Sequence, residues 1–517
     1  MATRALERLF PRDVGVTTGW IGATLLATGY LLFRHLLPTA KSPFPLVGEG
    51  VGSTNERRKY YVDNALQLFR EGLNKFKDSP WRVTTADGEI LVLPLRYAEE
   101  LRRMPEEIVS VNAANEQTFE GKHVGISPDN PLMVHVVKGD LTQNLPRLTQ
   151  RLSVAVKDAI DDNIGPCDDW KQVNIYQSLL RIVAVVSGNI FLGPELSKRE
   201  DYLHSSIHFT TDLFIAISAL KRWPTYLRSL AKFWVPQLKT VDEHRRRVRD
   251  FLVPVIRERR KIQERGGEEP DDMLTWLLNR SKQFELATDE ELAETLLVLG
   301  MAAIHTTTMA ATHIIFDLIG YCPEVIPELR KEILSVMDTH EGGLTTNALY
   351  QMKLLDSVMR ESQRMNPSNI IRMQRVVLKS FRFSDGTEIP AGASLAVPSL
   401  PILHSEEFYP SPGVFEPHRF KRLRENQVND PIGYNSRELY QFISVTKENM
   451  GFGFGKHACP GRFFAANEIK LVCAHILLGY DLALPDDTIG RYGNIVRGGN
   501  IVPDRTKTVL MRKRDFY

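Results

Sequence analysis

The sequence predicts a mainly α-helical protein with small β-sheets, preceded by one N-terminal transmembrane helix. Long amphipathic stretches dominate the chain, strand-type alternation is confined to two short regions, and one early stretch without charge is long enough to cross a bilayer as a helix. The 517 residues are 43% hydrophobic and 25% charged, which excludes a disordered or fibrous chain. Lys and Arg total 65 against 63 Asp and Glu, and this net charge of +2 argues against a nucleic-acid binder.

The uncharged stretch runs from Val14 to Phe33. As a helix it would span about 30 Å, the thickness of a bilayer core, so we interpret residues 14–33 as a transmembrane anchor. Basic residues flank both ends, so the positive-inside rule gives no orientation. The alternative is a cleaved signal peptide ending near Ala40, but the stretch is longer than the apolar region of a typical signal peptide.

Three prolines between residues 38 and 45 follow the predicted anchor. They stiffen the backbone and prevent the helix from continuing, so residues 34–50 are predicted to form a Pro-rich hinge. No Pro-, Gly- or Ser-rich linker divides the rest of the chain. The predicted organisation is therefore an N-terminal flank at residues 1–13, the anchor, the hinge, and one large domain at residues 51–517.

Long helices dominate the predicted domain. The longest begins after Thr288, because Thr288 and Glu291 form a capping-box pattern and no proline follows before Pro323. Strands are predicted around an Asp-Gly turn in each of two regions, residues 82–95 and 371–397. The clearest predicted helices are Asn64–Phe76, Leu145–Ile160, Val173–Leu192, His204–Leu220, Val241–Gln263 and Asp289–Tyr321.

A run of three threonines, residues 306–308, lies within the longest predicted helix. Their β-branched side chains and hydroxyls compete with the hydrogen-bond ladder of a helix. Two interpretations stay open. Either the hydroxyls bond back to carbonyls of the helix, or the ladder is weakened beside a reaction centre.

One cysteine stands apart from the others. Cys459 follows three glycines in five residues and precedes Pro460, a residue favoured in the first turn of a helix. Unpaired amides at the start of the helix predicted over residues 463–478 are expected to lower the pKa of its thiol. A thiolate there is either a nucleophile or an iron ligand, since the residue types exclude a Walker loop and a dinucleotide-binding fingerprint. No Cys-x-x-Cys pair occurs among the four cysteines, which argues against disulfides and zinc: Cys167, Cys322, Cys459 and Cys473.

The segment around Cys459 resembles the haem-binding loop of the cytochrome P450 superfamily, Phe-x-x-Gly-x-(Arg/His)-x-Cys-x-Gly. Phe452, Gly455, His457, Cys459 and Gly461 match this pattern place for place. The resemblance implies that the protein binds haem b, with Cys459 as the axial thiolate ligand of the iron. It also implies that Phe452 shields the sulfur and that His457 meets a haem propionate.

Two further motifs of this family occur in the expected order. Glu361 and Arg364 match its Glu-x-x-Arg pair, and Pro367 close behind distinguishes them from other matches in the chain. Arg419 lies in a segment similar to the family's Pro-x-Arg-Phe element. The resemblance implies that Glu361, Arg364 and Arg419 form a buried ion triad that holds the loop on the haem side. Removing one partner of such a triad leaves an unpaired buried charge.

Residues 302–307 resemble the oxygen-activation stretch of the family. Thr306 takes the position of the threonine, Ala303 replaces a glycine, and His305 replaces the acid. A histidine titrates near neutral pH, so His305 is either a proton relay or a structural residue. The resemblance therefore implies Thr306 and His305 as the candidate catalytic residues.

The residues that meet the haem propionates are less clear from the resemblance. The tryptophan that the family places in one helix has no clear counterpart, and His135 and Lys138 are the candidates there. Arg375, after the first strand beyond the Glu-x-x-Arg pair, is another candidate, and Arg372 is its rival.

Together these motifs imply a membrane-anchored haem-thiolate monooxygenase that oxidises a lipophilic small molecule with O2 and with electrons from NADPH, delivered by a partner reductase. Similar loop sequences are typical of fungal members in secondary metabolism, which implies a terpenoid, indole-terpenoid or polyketide substrate. The expected location is the endoplasmic reticulum membrane, with a single span and the catalytic domain, residues 51–517, facing the cytosol. Lys447, Lys456 and Arg462 are candidates for docking the reductase.

The substrate pocket is expected to be mostly apolar. Two alternative functions stay open: a haem-thiolate isomerase or dehydratase that needs no reductase, and a non-catalytic, membrane-anchored helical scaffold. Reductase-dependent product formation separates the first from a monooxygenase, and the intact motif residues argue against the second. Five segments are expected to line the pocket: residues 115–126, 209–219, 298–307, 367–373 and 494–501.

Overall fold

The computed structural model describes residues 42–127, 130–284 and 288–514. The predicted anchor at residues 14–33 lies outside these ranges and stays a prediction, as do the boundaries of the flank, the hinge and the catalytic domain. Residues 46–517 form one compact unit of the chain. Within the described ranges helices greatly outweigh strands, so the predicted mainly helical fold with small sheets is confirmed.

Helices form most of the core of this unit. A π-helical turn, Val137–Leu141, joins two of them, α5 and α6. The α-helices, in chain order, are α1 Thr54–Lys75, α2 Ala98–Leu101, α3 Val111–Phe119, α4 Gly121–Val124, α5 Pro131–Val136, α6 Thr142–Ile164, α7 Ile175–Leu192, α8 Glu200–Leu220, α9 Arg228–Ala231, α10 Gln237–Glu264, α11 Met273–Ser281, α12 Asp289–Tyr321, α13 Ile326–Asp338, α14 Thr346–Gln351, α15 Lys353–Met365, α16 Leu400–Leu403, α17 Arg419–Arg424 and α18 Arg462–Gly479.

The strands form four small sheets among the described residues. The largest has the order β1-β2-β3-β9-β6-β4, and the others have the orders β10-β13-β5, β11-β12 and β7-β8. In the largest sheet β3 pairs with β9 in parallel and β6 pairs with β9 antiparallel. The strands are β1 Leu46–Val47, β2 Trp81–Thr85, β3 Gly88–Val92, β4 Val109–Ser110, β5 Lys171–Val173, β6 Ile371–Val377, β7 Phe381–Arg382, β8 Glu388–Ile389, β9 Ser394–Pro398, β10 Tyr480–Ala483, β11 Asn494–Arg497, β12 Asn500–Pro503 and β13 Val509–Lys513.

Helix α12 is central to the packing and has the bounds that the sequence predicts. The Thr288 hydroxyl accepts from the Glu291 amide over 3.2 Å, and the Glu291 carboxylate accepts from the Thr288 amide, which completes the predicted capping box. Over its 33 residues α12 contacts α7, α8, α10, α15 and α18. Among the described residues, α7 and α12 are long and apolar enough to cross a membrane, but 83% and 61% of their apolar windows are buried in the domain, so they serve as core helices.

Helix α1 shows the largest difference from its predicted bounds. It begins at Thr54, ten residues before the predicted start, because Ser53 and Glu56 form a second capping box. A kink at Asn64, where φ is −119°, separates this polar first part from the amphipathic second part that the sequence reveals. The ends of the other predicted helices differ from the observed ends by four residues at most.

Candidate active site

A cavity of about 580 Å³ lies beside α12. Its walls come from α12, α15, α18, the π-helical turn and the loop that carries Cys459, which we call the cysteine loop (residues 442–461). The lining is mostly apolar. From α12 it includes Ala302, Ala303, Thr306, Thr307 and Met309.

The cysteine loop is shaped by glycines and by one backbone hydrogen bond. At Gly455 φ is +74°, and a Cβ there would lie 2.9 Å from the Cβ of Arg102, so glycine alone fits without strain. The Cys459 amide donates to the carbonyl of Phe452 over 2.7 Å, which folds the loop back on itself. The Phe452 ring packs edge-to-face on Phe442, with ring centroids 5.1 Å apart. As a result Phe442, Phe452 and Cys459 line the same cavity.

The pKa of the Cys459 thiol is raised, whereas the sequence predicts that it is lowered. Helix α18 begins at Arg462, three residues after the cysteine. The backbone amides of Gly461 and Arg462 hydrogen-bond the sulfur and lower its pKa, but burial outweighs them and raises the pKa above its usual range. The expected lowering was therefore wrong, because burial is a tertiary effect that the local motif does not show. The protein by itself favours the thiol, and coordination to a metal deprotonates such a group.

Glu361, Arg364 and Arg419 lie together in the interior. Nε and Nη2 of Arg364 each donate to the Glu361 carboxylate over 2.8 Å, and Nε of Arg419 donates to it over 3.1 Å. The three side chains are 0%, 1% and 5% exposed, in the order Glu361, Arg364, Arg419. Two arginines share one carboxylate, so the cluster carries a net positive charge that other groups must balance.

The carboxylate of Glu416, with Oε2 3.7 Å from Nη1 of Arg419, and several backbone carbonyls supply that balance. Nη1 of Arg364 donates to the carbonyls of Leu403 and Pro412 over 2.8 and 2.7 Å. Nη1 of Arg419 donates to the carbonyl of Pro410 over 2.6 Å. These bonds fix the segment between α16 and α17, so the cluster orders a stretch of chain that has little regular structure of its own.

Helix α12 runs without a break past the threonine run. The Thr306 hydroxyl donates to the carbonyl of Ala302 over 2.7 Å, and the Thr308 hydroxyl donates to the carbonyl of Ile304 over 2.8 Å. Thr306 lines the cavity. The hydroxyls of Thr306 and Thr308 therefore bond back to the helix, as the first interpretation expects, whereas the Thr307 hydroxyl bonds the buried carboxyl of Glu468. The unbroken helix gives no support to a weakened ladder.

His305 is turned away from the cavity and does not line it. Its ring is 6% exposed, Nε2 donates to the carbonyl of Ile207 over 2.8 Å, and Nδ1 lies 3.4 Å from the hydroxyl of Tyr176. Burial lowers the pKa of the imidazole below its usual value. A neutral ring held between α7, α8 and α12 favours the structural interpretation of His305 over the proton relay.

The basic candidates around the predicted haem edge fall into two groups. Arg372 lines the cavity, and its Nη2 donates to the hydroxyl of Ser368 over 2.7 Å. Arg375 and His457 do not line it, and both interact with Glu106, whose Oε2 lies 3.8 Å from Nε2 of His457. Burial lowers the pKa of both arginines to about 10, which leaves them charged at neutral pH. The structure thus brings Arg372 to the cavity and places Arg375 with His457.

His135 and Lys138 are exposed and do not line the cavity, although their neighbours Val134 and Val137 do. The His135 ring lies near Phe284, with ring centroids 5.2 Å apart.

Three of the five predicted pocket segments contribute to the cavity: residues 298–307, 367–373 and 494–501. Residues 115–126 and 209–219 contribute none of the residues that line it. Parts of α15 and of the cysteine loop, which were not predicted as pocket walls, line the cavity instead.

Two ionisable residues inside the apolar helix α18, Glu468 and Lys470, were missed as candidates. The Ser187 hydroxyl donates to Glu468 over 2.8 Å, and burial raises the pKa of that carboxyl to about 8. Nζ of Lys470 lies 2.8 Å from Oδ1 of Asp356. The signal was present in the sequence, because a charged side chain in a helix that is otherwise apolar needs a buried partner.

Known proteins are similar to this chain in sequence over most of its length. The sequence profile of the family described as Cytochrome P450 matches residues 137–492. The cytochrome P450 monooxygenase braC of Annulohypoxylon truncatum is 34% identical over 502 residues, which cover 96% of this chain and 98% of that protein. The cytochrome P450 monooxygenase adrA of Penicillium rubens is 33% identical, with 96% of each protein covered. The cytochrome P450 monooxygenase paxP of Penicillium paxilli is 31% identical, with 92% of this chain and 90% of that protein covered.

A solved structure has the same fold. The crystal structure of the cytochrome P450DA heme domain matches with a TM-score of 0.67 and 15% sequence identity, over 92% of this chain and 98% of that chain. At this identity the likeness shows the fold alone. The family profile spans more than half of the chain, and the fungal relatives are similar over nearly all of it. The chain therefore belongs to the cytochrome P450 family and is a monooxygenase.

Proposed function

We propose that this monooxygenase binds haem b with Cys459 as the axial thiolate ligand and oxidises a lipophilic small molecule with O2. The observation that carries the proposal is that Cys459, Phe452 and Thr306 line one mostly apolar cavity. Proteins of this family hold haem through a cysteine, and Cys459 is the one among the four cysteines that reaches the cavity.

The residues present fit a haem. Gly451, Gly453 and Gly461 line the cavity, so the backbone itself forms part of the wall that a flat macrocycle would face. No group of three or more His, Cys, Asp or Glu among the described residues could hold a metal ion. An iron at Cys459 would therefore take one ligand from the protein and the others from a cofactor. Arg372 offers a cation at the cavity for a propionate.

When bound, haem supplies the reductive activation of O2. Cys459 contributes the negative charge of its thiolate, and the rings of Phe442 and Phe452 exclude water from the sulfur. The Thr306 hydroxyl donates to its own helix over 2.7 Å, so its lone pairs are left to accept a hydrogen bond from water in the cavity. We assign to this hydroxyl the positioning of the water that would deliver the proton, and to His305 a structural role. Glu361, Arg364 and Arg419 hold the segment between α16 and α17 in place.

The substrate that we propose is a fungal secondary metabolite of the terpenoid, indole-terpenoid or polyketide type. Two observations support this. The cavity lining is mostly apolar, which favours a lipophilic compound. The relatives that are similar over more than nine-tenths of this chain come from fungi, although their names state no substrate.

The electrons are proposed to come from NADPH through a membrane-bound reductase. Lys447 and Lys456 are exposed in the cysteine loop, and Arg462, just after the loop, is half-buried, with Nη1 donating to the carbonyl of Cys459 over 3.0 Å. An acidic partner surface would complement these cations. We further propose a single N-terminal span at residues 14–33, a hinge at residues 34–50, and a catalytic domain that faces the cytosol from the endoplasmic reticulum.

The absorption spectrum of the reduced, CO-bound protein tests the haem assignment. We expect a Soret band of the thiolate-ligated type, and we expect Cys459→Ala to abolish it because the axial sulfur is lost. Cys473→Ala is the matched control, since Cys473 is a buried cysteine of the adjoining helix α18 and does not line the cavity. Purified full-length protein without bound haem would refute the proposal, and so would a thiolate-type band that survives in Cys459→Ala.

A further inference from the structure

A second buried ion cluster lies on α15, five residues before Glu361. Its centre is Asp356, which is 3% exposed. Oδ1 of Asp356 lies 2.8 Å from Nζ of Lys470 on α18, and Oδ2 lies 3.5 Å from Nη1 of Arg424 on α17. One carboxylate therefore joins three helices that come from distant parts of the chain.

The same carboxylate binds the backbone that leads into the cysteine loop. The Phe442 amide donates to Oδ2 of Asp356 over 3.0 Å. One turn further along α15, Nη1 of Arg360 donates to the carbonyls of Leu439 and Gln441 over 2.5 and 2.9 Å. The guanidinium of Arg360 also lies over the ring of Phe420, 4.4 Å from its centre. Helix α15 thus fixes backbone groups of three residues at or just before the start of the cysteine loop: Leu439, Gln441 and Phe442.

From Phe442 the contacts lead directly to Cys459. The Phe442 ring packs on the Phe452 ring, and the carbonyl of Phe452 accepts from the Cys459 amide. On the other side of the cysteine, α18 begins at Arg462 and carries Lys470 two turns later. Asp356 is therefore bonded to the chain both before and after Cys459.

The charges explain why the carboxylate is needed. Lys470 has one further bond, from Nζ to the carbonyl of Leu349 over 2.9 Å. Arg424 reaches Glu438 with Nη2 over 3.0 Å, and the Glu438 side chain is 50% exposed. Without the negative charge of Asp356, the buried ammonium of Lys470 would keep no anionic partner at hydrogen-bond distance among the described residues. A buried charge that loses its partner is strongly destabilising, so the carboxylate of Asp356 is needed to hold Lys470, and with it α18, in place.

We propose that Asp356 is a positioning residue that clamps both ends of the cysteine loop and so keeps the sulfur of Cys459 in place as a metal ligand. This inference rests on the proposed ligation of haem by Cys459. The clamp is distinct from the cluster of Glu361, Arg364 and Arg419, which holds the segment between α16 and α17. Asp356 touches neither the cavity nor the cysteine, and it acts through Phe442 and Lys470.

The test compares Asp356→Asn with Asp272→Asn in the full-length protein. Asp272 is a matched control because it is 1% exposed, lies 2.8 Å from Nη2 of Arg259, and accepts the Thr275 amide over 3.0 Å, yet it has no bond to the cysteine loop. The readout is the ratio of the thiolate-type to the non-thiolate-type Soret band of the reduced, CO-bound protein, at equal haem content. The urea midpoint of each variant is measured alongside.

We expect both variants to unfold at lower urea concentration, while Asp356→Asn alone lowers the spectral ratio, by about tenfold. That factor corresponds to the loss of one charge-assisted hydrogen bond. Lys470→Met keeps the bond between Asp356 and Phe442 but releases α18, and we expect it to lower the ratio several-fold. An Asp356→Asn ratio equal to that of Asp272→Asn would overturn the clamp, and so would a wild-type ratio in Lys470→Met. A wild-type protein without any thiolate-type band would instead refute the proposed function.

Discussion

Replacing Glu361 by Gln tests how strongly the cluster of Glu361, Arg364 and Arg419 supports the fold. The change keeps the shape of the side chain but removes the counter-ion of Arg364 and leaves Arg419 with the more distant carboxylate of Glu416, at 3.7 Å. It also weakens three bonds of 2.8–3.1 Å. Removing one partner of a buried ion pair costs about 3–5 kcal/mol. The compact unit, residues 46–517, has an unfolding entropy of roughly 1 kcal/mol/K, so the midpoint of thermal unfolding should fall by about 3–5 °C.

Thermal unfolding followed by circular dichroism measures this change. Glu328→Gln is the control, because Glu328 pairs with His418 over 2.9 Å while its own side chain is 49% exposed. Such a surface pair contributes less than about 1 kcal/mol, so the control should unfold within about 1 °C of the wild type. If Glu361→Gln unfolds at the same temperature as Glu328→Gln, the buried cluster is not the stabilising element that its geometry indicates.

Further predictions concern the cavity, the pH dependence and the cysteine loop. Thr306→Ala should lower the product formed per NADPH consumed several-fold, whereas Thr308→Ala, whose hydroxyl is buried against Ile304, should not; equal coupling in the two variants would remove Thr306 from proton delivery. Burial lowers the pKa of His313 to about 3, so the unfolded chain binds the proton first and stability falls as the pH drops from about 6.5 towards 3. His313→Gln should therefore flatten the acid side of a plot of urea midpoint against pH, and an unchanged slope would contradict this. Gly455→Ala should reduce haem content more than Gly433→Ala, which has the same positive φ but no atom within 4 Å of the added Cβ; equal losses would show that the contact with Arg102 is unimportant.

The sequence predicts most of the features that depend on local patterns. The bounds of α12 follow from the capping box at Thr288 and from the absence of proline up to Pro323, both of which are read directly from neighbouring residues. The motif around Cys459 and the Glu-x-x-Arg pair at Glu361 point to the correct family. In each case the information lies within a few residues of the feature.

The features that were missed depend on the packing of distant segments. The direction of the pKa shift at Cys459 follows from burial, which outweighs the local amides. His305 occupies the place of a catalytic acid in the motif, yet its ring bonds to Ile207 on another helix. Asp356 meets Lys470 across more than a hundred residues, and no short motif connects them. Patterns in the sequence therefore identify candidate functional residues, but they do not show which other residues the side chains contact in the fold.

The order of strands in the largest sheet affects how the chain folds during synthesis. Strand β3 ends at Val92, but its neighbour β9 begins only at Ser394. At about 5–20 residues per second, a ribosome needs roughly 15–60 s to make the chain between them. During that time one edge of the β1-β2-β3 sheet has no partner, and such an edge can pair with other chains. The nascent protein is therefore most prone to aggregate before the last quarter of its sequence, including the cysteine loop, has left the ribosome.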